Sequence, residues 1–224
     1  MKKVLFVAVH ADDETLGCGG TILKHKSQGD EIHWLLLTGP TENHPYNFSK
    51  KHIEERAERV CRVADAYGFD GLHYLGLPTQ LLHALDLRDI IQKVDAVIQT
   101  VRPNIIYMMN STDVHSDHRV AFDAVYACTK SFRKPFIEQI LMLEALSETE
   151  FALATQATSF VPNVYVDITP YIDRKLEIME MYPTEVMQEP YPRSISSIKA
   201  LARVRGSRAG VMYAEAFQLL YERR

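Results

Sequence analysis

The feature that most constrains the fold is an alternation of short apolar runs with longer amphipathic stretches over the first half of the chain. Lys3–Val9 is an almost continuous apolar run, as in a strand that is buried on both faces of a sheet. Leu85–Val101 instead carries apolar residues at helical spacing, which predicts a helix with one buried face. A β-α-β-α-β-α-β order needs long connections between strands, so it predicts a parallel sheet with crossover helices.

The remaining elements are predicted from the same patterns, with a strand favoured over a helix for the last of them. We predict strands at Lys3–Val9, Glu31–Thr38, Gly71–Leu75, Ile105–Met109, Ile137–Leu143, Val164–Asp167 and Ala214–Tyr221, and helices at Gly17–Gln28, Lys51–Tyr67, Leu85–Val101, Val120–Ser131, Tyr171–Tyr182 and Ser194–Arg205. Together they predict an α/β, Rossmann-like fold: a mostly parallel sheet with helices on both faces. In such folds the active site lies at the carboxyl ends of the strands.

The length of 224 residues favours one domain, because sheet-based α/β folds often reach this size undivided. The chain has no repeat and no Pro/Gly/Ser-rich linker, and the proline-containing loop Pro183–Pro192 is the only plausible hinge. We therefore expect a single domain over residues 1–224. Residues 1–119 would hold the metal-binding and catalytic motifs, and residues 120–224 would complete the sheet and determine substrate specificity.

Composition excludes several classes of protein. A net charge of −4 argues against nucleic acid as the main partner, because such proteins usually carry a basic excess. The longest apolar runs are far shorter than the ~20 residues that span a bilayer, so no membrane span is expected. Cys18, Cys61 and Cys128 are odd in number and widely spaced, which favours reduced thiols in a cytoplasmic protein over disulfides.

Two polar clusters stand directly after predicted strands. The segment 10–14, His-Ala-Asp-Asp-Glu, follows the first strand, and the segment 113–119, Asp-Val-His-Ser-Asp-His-Arg, follows the fourth. Both fall at the carboxyl edge of the predicted sheet, so they can meet if these two strands are neighbours. Histidines and carboxylates are ligands that suit zinc at a catalytic site. Each cluster alone could be a solvated loop or a helix cap, but the pair at one edge favours a metal site.

The doublet of aspartates in the first cluster has a chemical explanation. A catalytic zinc takes about three protein ligands and leaves a position open for water, and a carboxylate outside the ligand set accepts a proton from that water. Adjacent aspartates point in different directions, so one of Asp12 and Asp13 can bind metal while the other faces the water. In the second cluster, one of His115 and His118 can bind metal while the other polarises a carbonyl.

These clusters resemble the two motifs of the LmbE-like (PIG-L) family of zinc-dependent N-acetylglucosaminyl deacetylases. The first family motif is His-Pro-Asp-Asp-Glu followed by a glycine-rich helix start, and the second is Asp-x-His-x-Asp-His-Arg. Residues 113–119 match the second motif in full, and residues 10–14 match the first except that Ala11 replaces its proline. That replacement removes a fixed φ angle but no ligand and no acid–base group.

The resemblance implies a set of residue roles. His10, Asp13 and His118 would bind one Zn²⁺ per chain, although other divalent metals could substitute in vitro. Asp12 would be the general base, and His115, protonated, would stabilise the tetrahedral oxyanion.

The resemblance also implies the substrate and the partners. Asp117 would orient His115, and Arg56 and Arg193 would contact the substrate. The substrate would be an N-acetylated amino sugar or its conjugate, and the products would be acetate and a free amine. Family members are often homo-oligomers, so we expect that this chain can form one.

Three other interpretations were weighed against the deacetylase. A metal- or sugar-binding protein on the same scaffold would have lost turnover, yet both Asp12 and His115 are present. A Rossmann nucleotide-binding protein would need G-x-G-x-x-G, which the glycines at 17, 19 and 20 do not form. A serine hydrolase of the α/β type would need G-x-S-x-G, which the chain lacks.

Overall fold

A computed structural model describes all 224 residues and contains one seven-stranded sheet. The strands are β1 Lys3–Ala8, β2 Glu31–Gly39, β3 Gly71–Pro78, β4 Ile105–Met108, β5 Gln139–Leu143, β6 Val164–Asp167 and β7 Ala214–Glu222. The helices are α1 Asp13–Ser27, α2 Lys50–Tyr67, α3 Leu87–Val101, α4 Ser116–Ala127, α5 Ile172–Met179 and α6 Ile195–Ala209, with short 3-10 turns at Leu82–Ala84 and Thr169–Tyr171.

The strand order across the sheet is β3-β2-β1-β4-β5-β7-β6. The first five strands in this order pair in parallel, and β7 runs antiparallel to both β5 and β6. Strands β1 and β4 are neighbours, with Val4 opposite Ile105. The chain order reverses between these two strands, which is where ligands bind in open α/β sheets. The α/β class and the mostly parallel sheet predicted from the sequence are confirmed.

Helices cover both faces of the sheet because successive strand residues point to opposite sides. In β1, Val4 and Phe6 pack on the face that carries α1, α2, α5 and α6, whereas Leu5 and Val7 pack on the face that carries α3 and α4. The continuous apolar run in β1 is therefore explained by burial on both sides.

Two helices begin earlier than their apolar patterns predicted. Helix α1 begins at Asp13, not Gly17, and α4 begins at Ser116, not Val120. In both cases the first turn consists of polar motif residues, which add nothing to an apolar periodicity. The motif side chains are consequently held by helix N-termini and not by free loops.

The glycines of α1 let the helix lie unusually close to the sheet. A Cβ atom at Gly17 would stand 2.6 Å from Leu143 Cδ1, and one at Gly20 would stand 2.5 Å from Ile168 Cγ2. These close approaches fix the distance between α1 and the sheet near β5 and β6. They therefore also fix the position of the carboxylates at the start of α1. None of the helices has the length and apolarity that crossing a bilayer requires.

Candidate metal centre and active site

The two polar clusters meet where β1 and β4 end. Nε2 of His118 lies 3.3 Å from Oδ2 of Asp13, and Nδ1 of His10 lies 3.9 Å from the same oxygen. One potential ligand atom from each of these three side chains falls within 4.8 Å of the others. The sheet thus brings together residues that are more than a hundred positions apart in the chain.

The donor atoms at this point are arranged as a metal would require. Nε2 of His118 is buried and has no hydrogen-bond partner, which is uncommon for a buried polar atom. Oδ2 of Asp13 accepts the main-chain N–H groups of Val9 and His10 at 3.0 and 2.8 Å, which fixes the carboxylate and leaves Oδ1 free. Two imidazoles and a carboxylate fit a catalytic metal with an open coordination position.

A second candidate ligand set overlaps the first and contains His10, His115 and Asp117. It is less suited to metal, because Asp117 accepts main-chain N–H groups on both oxygens, from Gln80 and from Leu82. Nδ1 of His115 is also occupied, since it accepts the main-chain N–H of Asp117 at 3.1 Å.

These contacts show which groups Asp117, the expected orienting partner of His115, is bonded to. Its carboxylate makes no hydrogen bond with His115. Its main-chain N–H donates to Nδ1 of His115, because His115 is the N-cap of α4. Oδ2 of Asp117 instead lies 3.4 Å from Nε2 of His10. A carboxylate behind a ligand histidine orients the ring and increases its basicity.

His118 has a carboxylate behind it as well. Nδ1 of His118 lies 2.9 Å from Oδ2 of Asp113, and Thr149 Oγ1 donates to the other oxygen of Asp113 at 2.8 Å. Sequence reasoning assigned Asp113 no role, although it is the first residue of the second motif. The signal in the sequence that could have indicated this contact is the position of Asp113, five residues before His118 and outside α4.

The side chain of Asp12 lies beside the candidate metal ligands but forms its hydrogen bond with Arg193. It is only 3 % exposed, and Nη1 of Arg193 donates to its Oδ2 at 3.2 Å. Burial raises the pKa of Asp12 to about 7, with the carboxylates of Asp13 and Glu185 adding to the rise and Arg193 and His10 opposing it. A carboxyl with such a pKa can both accept and return a proton near neutrality.

The surroundings of His115 favour its neutral form over the protonated ring that was expected. Burial, together with the neighbouring His10 and His118, lowers its pKa to about 4. Because Nδ1 accepts a hydrogen bond, the proton of the neutral ring sits on Nε2. His115 can therefore act as a hydrogen-bond donor without a positive charge.

A cavity of about 380 Å³ opens above these groups, within the range of small-molecule sites. Asp117 and His118 are fully buried beneath it. The other six residues singled out in the sequence line the cavity: His10, Asp12, Asp13, Arg56, His115 and Arg193.

The second half of the chain supplies one wall of the cavity through a residue that sequence reasoning missed. Glu185 accepts from Nη1 of Arg56 at 3.1 Å and from Nη1 of Arg193 at 3.4 Å, so it bridges the two arginines. Nη2 of Arg56 also donates to the main-chain oxygen of Ala11 at 3.0 Å. Glu185 lies in the loop that was expected to be a hinge, and no local pattern marks it.

A different buried polar group lies on the far side of α1, and we call it the helix-anchoring cluster: Lys175, Glu215 and Thr21. Oε1 of Glu215 accepts from Lys175 Nζ at 2.7 Å, and Oε2 accepts from the N–H and Oγ1 of Thr21 at 2.7 and 2.6 Å. Lys175 Nζ also donates to the main-chain oxygen of Leu16 at 2.9 Å. This cluster ties α1 to α5 and β7.

Several proteins similar to this chain are named as deacetylases. The sequence profile of the family described as GlcNAc-PI de-N-acetylase (PIG-L) matches residues 5–129, which include both motifs. A diacetylchitobiose deacetylase of Thermococcus kodakarensis is 24% identical over 98% of this chain and 84% of its own length. A probable N-acetyl-alpha-D-glucosaminyl L-malate deacetylase 2 of Bacillus cereus is 28% identical over 84% of this chain and 86% of its own length.

Solved structures confirm the fold and show that it serves more than one chemistry. The conserved protein TT1542 of Thermus thermophilus has a TM-score of 0.78 at 26% identity, covering 100% of this chain and 97% of its own. The 4-carboxy-2-hydroxymuconate hydratase GalB of Pseudomonas putida has a TM-score of 0.77 at 18% identity, covering 100% of this chain and 98% of its own. The fold alone therefore does not determine the reaction, which has to be inferred from the residues of the site.

Proposed function

This chain belongs to the GlcNAc-PI de-N-acetylase (PIG-L) family, and from that premise we propose that it is a zinc-dependent hydrolase of N-acetylated amino sugars or their conjugates. It removes the acetyl group and gives acetate and a free amine. The observation that carries the proposal is the meeting of His10, Asp13 and His118 beside the carboxyl of Asp12 at a cavity, with Nε2 of His118 buried and unpartnered.

Zinc is the proposed metal, held by His10, Asp13 and His118, because two imidazoles and a carboxylate suit it. When bound, zinc supplies Lewis-acid polarisation of the amide carbonyl and of water. Asp113 and Asp117 support this role by lying behind the two ligand histidines.

The side chains of the protein account for the proton movements. As water attacks the amide carbon, Asp12 accepts its proton and a C–O bond forms. The N–H on Nε2 of His115 donates to the oxygen that gains negative charge, which is the kind of preorganised stabilisation that usually contributes most. The C–N bond then breaks and Asp12 returns its proton to the leaving nitrogen.

Arg193 positions the base in this scheme. Its hydrogen bond to Asp12 restricts the carboxyl to one orientation, and its charge favours the ionised form that accepts a proton. Arg193 is itself held by Glu185, so the base, the arginine and the wall of the cavity form one connected unit.

The remaining part of the proposal concerns the cellular compartment in which the protein works. All three cysteines are free, and two of them are buried, which supports a protein adapted to a reducing compartment. We therefore propose a cytoplasmic enzyme whose substrate is a small molecule.

The experiment that tests the function combines metal analysis with product analysis. Purified protein is expected to contain about one zinc per chain and to release amine and acetate in equal amounts from at least one member of a panel of N-acetylhexosamine conjugates that includes nucleotide-linked ones. Chelation should lower the rate by about 1,000-fold or more, and added zinc should restore it. A protein that binds zinc and sugar but releases no amine would instead be the binding protein considered from the sequence.

A further inference from the structure

The charged residues of the cavity offer no free cation to a substrate. Four carboxylates line it, and apart from the proposed zinc the two guanidinium groups of Arg56 and Arg193 are its only full positive charges. Both guanidinium groups are already paired with Glu185. Glu148, on the opposite side, has its only side-chain hydrogen bond with Ser147 Oγ at 3.4 Å.

An uncharged wall stands at the cavity mouth. Phe48 and His52 both line the cavity, and their rings are stacked at 5.2 Å with an interplanar angle of 12°. On its other side Phe48 contacts the ring of His44 at 4.8 Å. The wall thus presents apolar ring surface without a formal charge when the histidines are neutral.

The wall is fixed in place by its connecting loop. His44 is buried, and its Nε2 lies 2.8 Å from the main-chain oxygen of Thr79 at the end of β3. The turn that follows passes through Asn47, which has a φ of 50° and donates its N–H to the oxygen of His44 at 2.8 Å. His44 therefore anchors the loop that carries Phe48.

From these observations we propose that the group attached to the acetylated sugar is an uncharged sugar ring, bound against Phe48 and His52, and that a carboxylate- or phosphate-bearing group is discriminated against. This inference rests on the proposed deacetylase function and specifies its substrate class.

The physical reason lies in the pairing of the arginines. An anionic group would approach Glu148 and Glu185 and could bind Arg56 or Arg193 only by competing with Glu185. Like charges brought together in this way are strongly unfavourable. The hydroxyl groups of a neutral sugar can instead accept from the remaining guanidinium N–H groups, while its C–H groups pack on the aromatic wall.

The charge part of the inference is tested with two substrates that differ only in charge: N-acetylglucosaminyl malate and its dimethyl ester. For the zinc-loaded protein, kcat/KM measured by amine release is expected to be at least about tenfold higher for the ester. In the Glu185→Gln variant, which frees the two arginines, this ratio should fall by about tenfold.

The aromatic part is tested with N,N'-diacetylchitobiose against N-acetylglucosamine. Phe48→Ala should lower the ratio of kcat/KM for the disaccharide over the monosaccharide by about five- to tenfold. The matched control is Phe132→Ala, because Phe132 is 78 % exposed and does not line the cavity. Phe132→Ala should leave the ratio unchanged.

The outcomes separate this inference from the function on which it rests. A preference for the diacid over its ester, or a Phe48→Ala ratio equal to that of the wild type, would overturn the inference while the deacetylase activity stands. Failure of the zinc-loaded protein to release amine from any of these four compounds and from every member of the conjugate panel would overturn both.

Discussion

Helix α1 lies between two buried polar clusters, which differ in whether all of their polar atoms have hydrogen-bond partners. In the helix-anchoring cluster, both oxygens of Glu215 and the ammonium of Lys175 have hydrogen-bond partners. In the proposed metal centre at the start of the helix, the buried Nε2 of His118 has none. Both clusters are buried and charged, so burial and charge alone do not distinguish them.

The difference indicates what each cluster is for. Buried polar groups are normally satisfied, and a satisfied ion pair such as Lys175–Glu215 needs no ligand. Buried nitrogens without partners carry a desolvation cost that only a further group can offset. We therefore expect substitutions in the metal centre to change activity and metal binding, and substitutions in the helix-anchoring cluster to change stability.

The largest expected effect is on turnover. Asp12→Asn should lower kcat by about 1,000-fold, because an amide cannot accept the proton of the attacking water. Zinc content and Tm should stay as in the wild type, since Asp12 is not a proposed ligand. The control is Asp173→Asn, on an aspartate whose side chain is 82% exposed, which should keep full activity. Full activity in Asp12→Asn would disprove the assigned base.

The next effect is on stability and concerns the other cluster. Lys175→Met should lower the free energy of unfolding by about 3 kcal/mol, because it leaves the Glu215 carboxylate buried and unpaired. Urea unfolding measures this change. Lys199→Met removes an exposed ion pair with Asp173 and should cost only about 0–1 kcal/mol.

Metal analysis of the folded Lys175→Met protein sharpens the comparison. It is expected to bind zinc with wild-type affinity, since Lys175 contacts none of the proposed ligands. If it lost zinc while remaining folded, the separation between a structural cluster and a metal-binding cluster would be wrong.

The smallest effect is on metal affinity. Asp113→Asn should weaken zinc binding by about 10- to 100-fold, because the carboxylate behind His118 orients the ring and increases its basicity. Competition with a fluorescent chelator measures the affinity. Asp123→Asn, at an exposed position on α4, the helix that carries His118, is the control. Equal zinc affinity in the two variants would remove Asp113 from the metal centre.

The sequence was most informative where the determinants are local. The apolar run of β1 and the helical spacing of α3 predicted their elements because burial of a strand or helix face is visible in neighbouring residues. The beginnings of α1 and α4 were missed because their first turns contain the polar motif residues. The orientation of Asp117 was also missed, since its carboxylate binds main-chain groups about 35 residues earlier in the chain.

The sequence by itself determined the fold class, the two motifs and the residue types that a metal and a general base require. Only the tertiary structure decided which carboxylate stands behind which histidine, that Glu185 pairs both arginines, and that Glu215 accepts the main-chain N–H of Gly20, 195 residues away. Periodicity and motifs report on contacts within a few residues along the chain. Hydrogen bonds between distant segments depend on strand order and helix packing, which become defined only when the whole sheet has formed.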